Sequence, residues 1–299
     1  MVQQLRGVFS ALATPFTSGA GQIDESALRE LVEGTIAAGV HGLIPCGSTG
    51  EFASLVCEER MRVTQIVVEQ TRGRLPVMPQ TGSISMREAI ELSKHAEKLG
   101  AAGVMVVFPF YEPIQLDEVF AYYQAISDAI NIPIMVYNSP SGTKKNLTPA
   151  FMARLGREIH NVKYVKDSSA SLAQLTELIY RYSGDITAFN GWDTMLYSGF
   201  ALGCQGAVMG PANVIPKECA DIFNLVQAGK LDQAHEIYKR IWPLMQFFEE
   251  NCYNAAIKAG ANLVGFRIGD VRPPFRPLSP EKVEELRQLL ITAQIIGRN

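Results

Sequence analysis

The sequence carries little net charge and few of the residues that hold metals or disulfides. Lys and Arg total 27 against 30 Asp and Glu, so there is no basic excess to neutralise nucleic-acid phosphates. The five cysteines are an odd, scattered set without a CxxC pair, and the four histidines show no metal-ligand spacing. We therefore expect reduced cysteines, no bound metal and no nucleic-acid partner.

Long apolar runs are also missing. No run approaches the roughly 18 residues that a membrane span needs, and the N-terminus lacks the charged start and apolar stretch of a secretory signal. We therefore expect a cytoplasmic protein that does not bind a membrane. What the sequence does contain is 47% hydrophobic residues and 25 glycines, which predicts a large buried core rather than a disordered or fibrous chain.

Short apolar or β-branched runs alternate with longer segments of helical periodicity. In Asp24–Ala38, for example, the apolar residues recur with the spacing of one buried helix face, and Ser85–Leu99 follows the same pattern. Continuously apolar runs such as GVMVV indicate parallel strands that helices cover on both faces. The eight predicted strands are Val8–Leu12, Gly42–Pro45, Val77–Gln80, Gly103–Val107, Ile134–Tyr137, Val162–Val165, Thr187–Asn190 and Gly206–Met209.

Eight strand–helix alternations predict a (β/α)8 TIM barrel, an α/β fold, over residues 1–227. Residues 228–299 lack strand patterns and are predicted to form a helical extension packed on the barrel. A doubly wound sheet is the alternative, but no GxGxxG motif follows the first strand.

The chemistry of such a barrel lies at the carboxyl ends of its strands. Lys166 ends the hydrophobic run VKYVK, where desolvation favours the neutral amine that attacks a carbonyl. Tyr137 ends the preceding strand, so its phenol should lie near Lys166 and could shuttle protons. Each residue also has a simpler interpretation, a lysine whose tip reaches solvent and a tyrosine that packs.

Three further strand ends carry polar or aromatic candidates. The turn Cys46–Glu51 places Ser48 and Thr49 between two glycines, a pattern that can hold a carboxylate or a phosphate but also occurs in ordinary strand–helix turns. Phe110 and Tyr111 follow the GVMVV strand. Asp193, after Asn190-Gly191-Trp192, could accept hydrogen bonds from substrate hydroxyls or begin the next helix.

Taken in order, these motifs resemble the dihydrodipicolinate synthase / N-acetylneuraminate lyase family of Schiff-base-forming barrel enzymes. The resemblance runs from GVFSALATPF through GSTGE, PFY, VYNSP and YVKDSS to GDVRPPFRPLS. It implies a lyase that acts on pyruvate or another 2-oxo acid and needs no cofactor. It also implies a homo-oligomer, commonly a tetramer.

The resemblance assigns a role to each matching residue. Lys166 forms the imine and Tyr137 is the general acid/base, while Ser48 links Tyr137 to a Tyr111 that a neighbouring subunit supplies. Thr49 and the turn around it hold the substrate carboxylate. The remaining substrate-binding residues that we predict are Gly47, Ser168, Gly191, Asp193 and Val208.

The sequence departs from the synthase branch at one informative position. Synthases carry an arginine just after the YNxP turn, and Gly142 stands in its place here, with Lys144 and Lys145 nearby. Gly191-Trp192-Asp193 is instead similar to the lyase and 2-keto-3-deoxy sugar acid aldolase branches. We therefore predict an aldolase or dehydratase of a 2-oxo-3-deoxy acid, with 4-hydroxy-tetrahydrodipicolinate synthase as the alternative.

Two other classes of function remain open from the sequence. A non-catalytic protein that binds a 2-oxo acid would not need both Lys166 and Tyr137. A phosphate-sugar enzyme would need a glycine-rich cradle at the last strands, where Met209–Asn213 offers one glycine and a proline.

Overall fold

A computed structural model describes residues 5–297, apart from the side chain of Ala20. Seven parallel strands form one sheet in the order β2-β1-β7-β6-β5-β4-β3, and helices follow the strands. The strands are β1 Gly7–Ala11, β2 Gly42–Ile44, β3 Val104–Val107, β4 Ile134–Asn138, β5 Val162–Asp167, β6 Thr187–Asn190 and β7 Gly206–Met209. The TIM-barrel fold class predicted from the sequence is confirmed.

The third predicted strand, Val77–Gln80, is present only as isolated bridges. Val77 pairs with Leu43 of β2 and Gln80 pairs with Met105 of β3, both in parallel, so the segment joins the two ends of the sheet. Pro79 lies inside this segment and has no N–H to donate, which interrupts the ladder. The barrel thus closes through a segment that is shorter and less regular than the sequence predicts.

Helices cover the outside of the sheet and continue beyond it. Asp24 caps the first helix by accepting from the Ala27 N–H at 3.0 Å, and Ser85 accepts from the Glu88 N–H in the same way. The helices are α1 Glu25–Ala37, α2 Cys57–Thr71, α3 Met86–Lys98, α4 Leu116–Ser127, α5 Pro140–Thr143, α6 Pro149–Glu158, α7 Leu172–Arg181, α8 Leu196–Ala201, α9 Pro216–Gln227, α10 Leu231–Glu250, α11 Tyr253–Leu263 and α12 Pro280–Thr292. None of these helices is long and apolar enough to cross a membrane.

The C-terminal helices share the hydrophobic core that surrounds the barrel. Phe248 of α10, Ile257 of α11 and Leu286 of α12 are fully buried in the same cluster as the outward-facing strand residues. The boundary at residue 227 stays a prediction, since one continuous cluster spans both parts.

A second cluster fills the barrel interior and sets which strand residues face the site. Side chains alternate along a strand, so Met135 and Tyr137 of β4 point inward together, as do Tyr164 and Lys166 of β5. Lys163, one residue before Tyr164, is exposed. This alternation places one buried amine and one buried phenol at the carboxyl end of the barrel.

Candidate active site

Lys166 and Tyr137 lie side by side at the carboxyl end of the barrel. They are directly paired in the parallel β4–β5 ladder, and the Lys166 Nζ lies 4.1 Å from the centre of the Tyr137 ring. Both side chains are buried, with 6% and 5% exposure. A buried amine beside a phenol is an arrangement that can form an imine and move the protons which that reaction requires.

The charge of Lys166 also acts on the tyrosine. Burial alone would raise the pKa of Tyr137, but the nearby Lys166 ammonium and hydrogen bonds from Ser139 and Ser48 outweigh it and lower the pKa to about 8. The Ser48 Oγ lies 3.4 Å from the Tyr137 hydroxyl. The phenol therefore exchanges its proton more readily than an ordinary tyrosine.

These groups open into a cavity of about 540 Å³. Most of the predicted site residues line it, namely Ser48, Thr49, Tyr137, Lys166, Ser168, Gly191, Asp193 and Val208. Gly47 lies in the same turn but is not among the lining residues. The structure thus brings together eight of the ten residues that the sequence singles out.

Tyr111 is the other predicted residue that the structure does not bring to this cavity. Its side chain is 81% exposed, in the segment after β3. A tyrosine exposed in this way can contact another molecule, which is the role that the resemblance gives it. That role stays a prediction.

The wall beyond Lys166 is acidic. Asp193 accepts a hydrogen bond from the Tyr253 hydroxyl at 2.6 Å, and Glu249 accepts from the Thr194 N–H and hydroxyl. Burial raises the pKa of Asp193 to about 7, and burial also raises the pKa of Glu249. Both carboxyl groups line the cavity, so this wall can bind hydroxyl groups and exchange protons.

Positive charge is scarce around the same cavity. Among its described lining residues, Lys166 is the one with a cationic side chain. Gly142 lines the cavity where synthases are expected to have arginine, while the Lys144 Nζ donates to the Ser141 carbonyl at an exposed position. Neither Lys144 nor Lys145 lines the cavity, so neither replaces that arginine.

Several lining residues were not predicted from the sequence. Glu249 lies in α10, and Tyr253 and Asn254 lie in α11. Trp192 and Phe275 also line the cavity. The rule that chemistry lies at strand ends does not find the C-terminal residues among these, because none of them follows a barrel strand. No group of three or more potential metal ligands occurs among residues 5–297.

Because Gly191 has no side chain, it leaves room for the side chain of Lys166. A Cβ at this position would lie 2.2 Å from the Ser168 Oγ and 2.9 Å from the Lys166 Cε. We expect Gly191→Ala to slow imine formation with pyruvate about 100-fold, because displacing a nucleophile by as little as 1 Å has effects of this size. Stopped-flow or borohydride-quench rates measure this effect.

Gly184→Ala is the matched control, since a Cβ at Gly184 meets nothing within 4 Å. It should react at the wild-type rate. A Gly191→Ala protein that also reacts at that rate would show that the close approach to Lys166 is unimportant.

Comparison with known proteins identifies the family of the chain. Residues 4–293 match the Dihydrodipicolinate synthetase family. A 4-hydroxy-tetrahydrodipicolinate synthase from Syntrophobacter fumaroxidans is 36% identical over 286 residues, 95% of this chain and 97% of its own length. A protein of the same name from Geotalea uraniireducens is 38% identical over 276 residues, covering 92% and 93% of the two chains.

Solved structures are similar along nearly the whole chain. A dihydrodipicolinate synthase crystal structure superposes with a TM-score of 0.92 at 33% identity, covering 97% of this chain and all of the other. YagE, a prophage protein of E. coli K12 in the dihydrodipicolinic acid synthase family, was solved with pyruvate and gives a TM-score of 0.93. Its identity is 30%, over 97% of this chain and 99% of its own.

The relatives' names do not support our assignment to the sugar acid aldolase branch. The curated relatives at 36% and 38% identity are both named as synthases. The broader prediction of a Schiff-base lyase holds at the level of the family. The chain belongs to the dihydrodipicolinate synthetase family and is an enzyme of the class I carbon–carbon lyase type.

Proposed function

We propose that Lys166 forms an imine with pyruvate or with a longer 2-oxo acid whose cleavage or dehydration passes through the same intermediate. The observation that carries the proposal is the buried pair of Lys166 and Tyr137, with 4.1 Å between the amine and the ring centre. A protonated imine withdraws electrons from C3, so it stabilises the enamine that forms when a bond to C3 breaks.

The steps balance with the groups in the cavity. The neutral Lys166 Nζ attacks C2, and Tyr137 relays a proton from the new ammonium to the former carbonyl oxygen, which gives the carbinolamine. Tyr137 then donates a second proton to that hydroxyl group, which leaves as water while the nitrogen lone pair forms the protonated imine. Ser48, 3.4 Å from the Tyr137 hydroxyl, is placed to return a proton to the phenolate. Thr49 and the N–H groups of its turn would hold the substrate carboxylate.

The second reactant has two candidates. The names of the relatives support aspartate semialdehyde, as in 4-hydroxy-tetrahydrodipicolinate synthase, better than they support our main prediction. The lining of the cavity favours an uncharged, hydroxylated tail, because Asp193 and Glu249 are part of it and no arginine occurs among the lining residues that the structure describes. A carboxylate on the second reactant would meet two acidic groups without a bidentate partner.

A substrate panel separates the two. Pyruvate with aspartate semialdehyde is assayed beside cleavage and dehydration of several 2-oxo-3-deoxy acids. Turnover of one or more deoxy acids at higher kcat/KM than the condensation supports the uncharged tail. The opposite ranking supports the synthase reaction and would mean that Gly142 does not prevent carboxylate binding.

Asp193 gives a second test of the uncharged tail. We expect Asp193→Asn, assayed above pH 7 where the carboxyl group is ionised, to lower kcat/KM for a hydroxylated 2-oxo acid roughly 10-fold, because a charged acceptor is replaced by a neutral one. The rate of imine formation with pyruvate, which lacks the tail, should stay nearly unchanged. An equal loss with both substrates would contradict a role for Asp193 in binding the tail.

We also propose that the enzyme works as a homo-oligomer, as a tetramer if the resemblance holds, in which Tyr111 enters a neighbouring subunit's site. Val56, Ile84 and Tyr111 are large apolar residues with 59% exposure or more, and they follow three adjacent segments of the barrel. Exposed apolar surface of this kind is typical of protein–protein contacts. Sedimentation velocity tests the assembly.

A further inference from the structure

One helix of the C-terminal extension contacts the turn Cys46–Glu51, which carries Ser48 and Thr49, at its middle and at its end. In α11, Asn254 donates from Nδ2 to the Ser48 carbonyl at 3.0 Å. Lys258, one helical turn further on, forms an ion pair with Glu51 at 2.7 Å. Residues four apart lie on the same face of a helix, so a single face of α11 reaches the turn at two points.

Glu51 is unusual in both its backbone and its surroundings. Its φ is +56°, in the left-handed region that a residue with a side chain rarely adopts. Its side chain is only 3% exposed, and Lys258 is 1% exposed. A charged residue held in this conformation away from water needs partners that fix it in place.

Those partners all lie outside the barrel strands. The Arg272 N–H donates to the Glu51 Oε2 at 2.9 Å, and the Lys258 Nζ also donates to the Asp270 carbonyl at 2.9 Å. The centre of the Phe16 ring lies 4.0 Å from the Lys258 Nζ and 4.4 Å from the Arg272 Cζ. The end of the turn is therefore fixed by α11 and by the segment that follows it.

We propose that Lys258 and Asn254 are positioning residues, through which helix α11 holds the turn in the conformation that presents Ser48 to Tyr137 and Thr49 to the substrate. This inference rests on the proposed imine chemistry. Lys258 is not among the cavity-lining residues, so any effect it has on the reaction passes through Glu51 and the turn.

The alternative is that the buried pair only stabilises the fold, and the energetics of buried ion pairs argue against it. Desolvation offsets much of the attraction within such a pair, so neutral replacements of both partners often leave stability unchanged. Breaking one partner alone, by contrast, leaves an unpaired buried charge. A double replacement therefore removes the positioning contact with the smallest risk to folding.

The experiment compares wild type with Lys258→Met, the double variant Glu51→Gln/Lys258→Met, and Asn254→Ala. For each protein, the rate of imine formation with pyruvate is measured as a function of pH, with thermal unfolding as a check on the fold. We expect the double variant to stay folded, to form the imine about 10-fold more slowly and to bind pyruvate more weakly. Both effects are expected because the turn would no longer hold Ser48 and Thr49 in place.

The pH profile gives a readout that lost stability would not change. The hydrogen bond from Ser48 helps to lower the pKa of Tyr137, so a displaced Ser48 should move the alkaline inflection upward from about pH 8. Lys258→Met and the double variant should both show this shift. If Lys258→Met fails to fold, the double variant still carries the test, because neither Lys258 nor Glu51 lines the cavity.

The double variant Glu285→Gln/Lys282→Met is the matched control. It removes an ion pair of the same two residue types and the same 2.7 Å length, but at an exposed position of α12, so its loss should leave the rate and the profile unchanged. A folded double variant with the wild-type rate and inflection would overturn the inference while leaving the imine chemistry intact. A wild-type protein that forms no imine would instead overturn the proposed function, and this inference with it.

Discussion

A Lys166→Met variant is expected to lose turnover of every 2-oxo acid, by roughly 1000-fold or more, because removal of a catalytic nucleophile has effects of at least this size. Methionine keeps the length of the buried side chain but cannot attack a carbonyl. Packing beside Tyr137 should therefore survive while the reaction does not. Steady-state kinetics and thermal unfolding of the same preparation separate the two effects.

Lys163→Met is the matched control for this prediction. Lys163 lies three residues earlier on the same strand and is exposed, away from the cavity. Its replacement should leave kcat/KM within about twofold of wild type, as is usual for surface changes. Substantial activity in Lys166→Met would show that another group carries out the reaction.

Replacing Tyr137 by phenylalanine is expected to slow imine formation about 100- to 10,000-fold, the range typical for loss of a general acid or base. The ring that packs on Lys166 remains, so the change removes the hydroxyl alone. Because the pKa of Tyr137 is about 8, the alkaline inflection of the wild-type profile near that pH should disappear in the variant.

Tyr164→Phe provides the comparison, since it removes another hydroxyl from the barrel interior. That hydroxyl accepts from the Leu5 N–H at 3.1 Å, at the opposite end of β5 from the cavity. We expect a modest loss of stability and little change in rate. A Tyr137→Phe protein that keeps both its rate and its inflection would mean that the phenol does not take part in proton transfer.

The barrel could be predicted from the sequence because its signals are local and repeated. Each apolar run, with a helix-forming segment after it, marks one strand–helix unit. The third predicted strand is interrupted where Pro79 removes a donor, a change in hydrogen bonding that leaves hydrophobicity intact. Hydrophobic pattern alone does not register such a change.

The strand-end part of the site could also be predicted, and the far wall could not. Lys166 and Tyr137 follow from strand ends and from alternation along the strands. Tyr253, Glu249 and Asn254 reach the cavity through packing of the C-terminal helices, which depends on contacts far apart in the chain. Sequence periodicity specifies which helix face is apolar, but not which polar residue beside that face meets the site.

The choice between the aldolase and synthase branches of the family could not be made from the sequence for a different reason. Gly142 and Asp193 led to the aldolase branch, whereas the named relatives of similar overall sequence are synthases. Overall identity reports the shared scaffold and the shared imine chemistry. The second reactant is set by a few residues around the cavity, so the two kinds of observation can point in different directions.

The covalent imine that we propose at the Lys166 amine can be detected by reductive trapping. Wild-type protein is mixed with pyruvate and sodium borohydride, digested, and analysed by mass spectrometry. We expect one reduced pyruvate adduct per chain, on the peptide that contains Lys166, and no adduct in a control without pyruvate. An unmodified protein, or an adduct on a different lysine, would contradict the proposal.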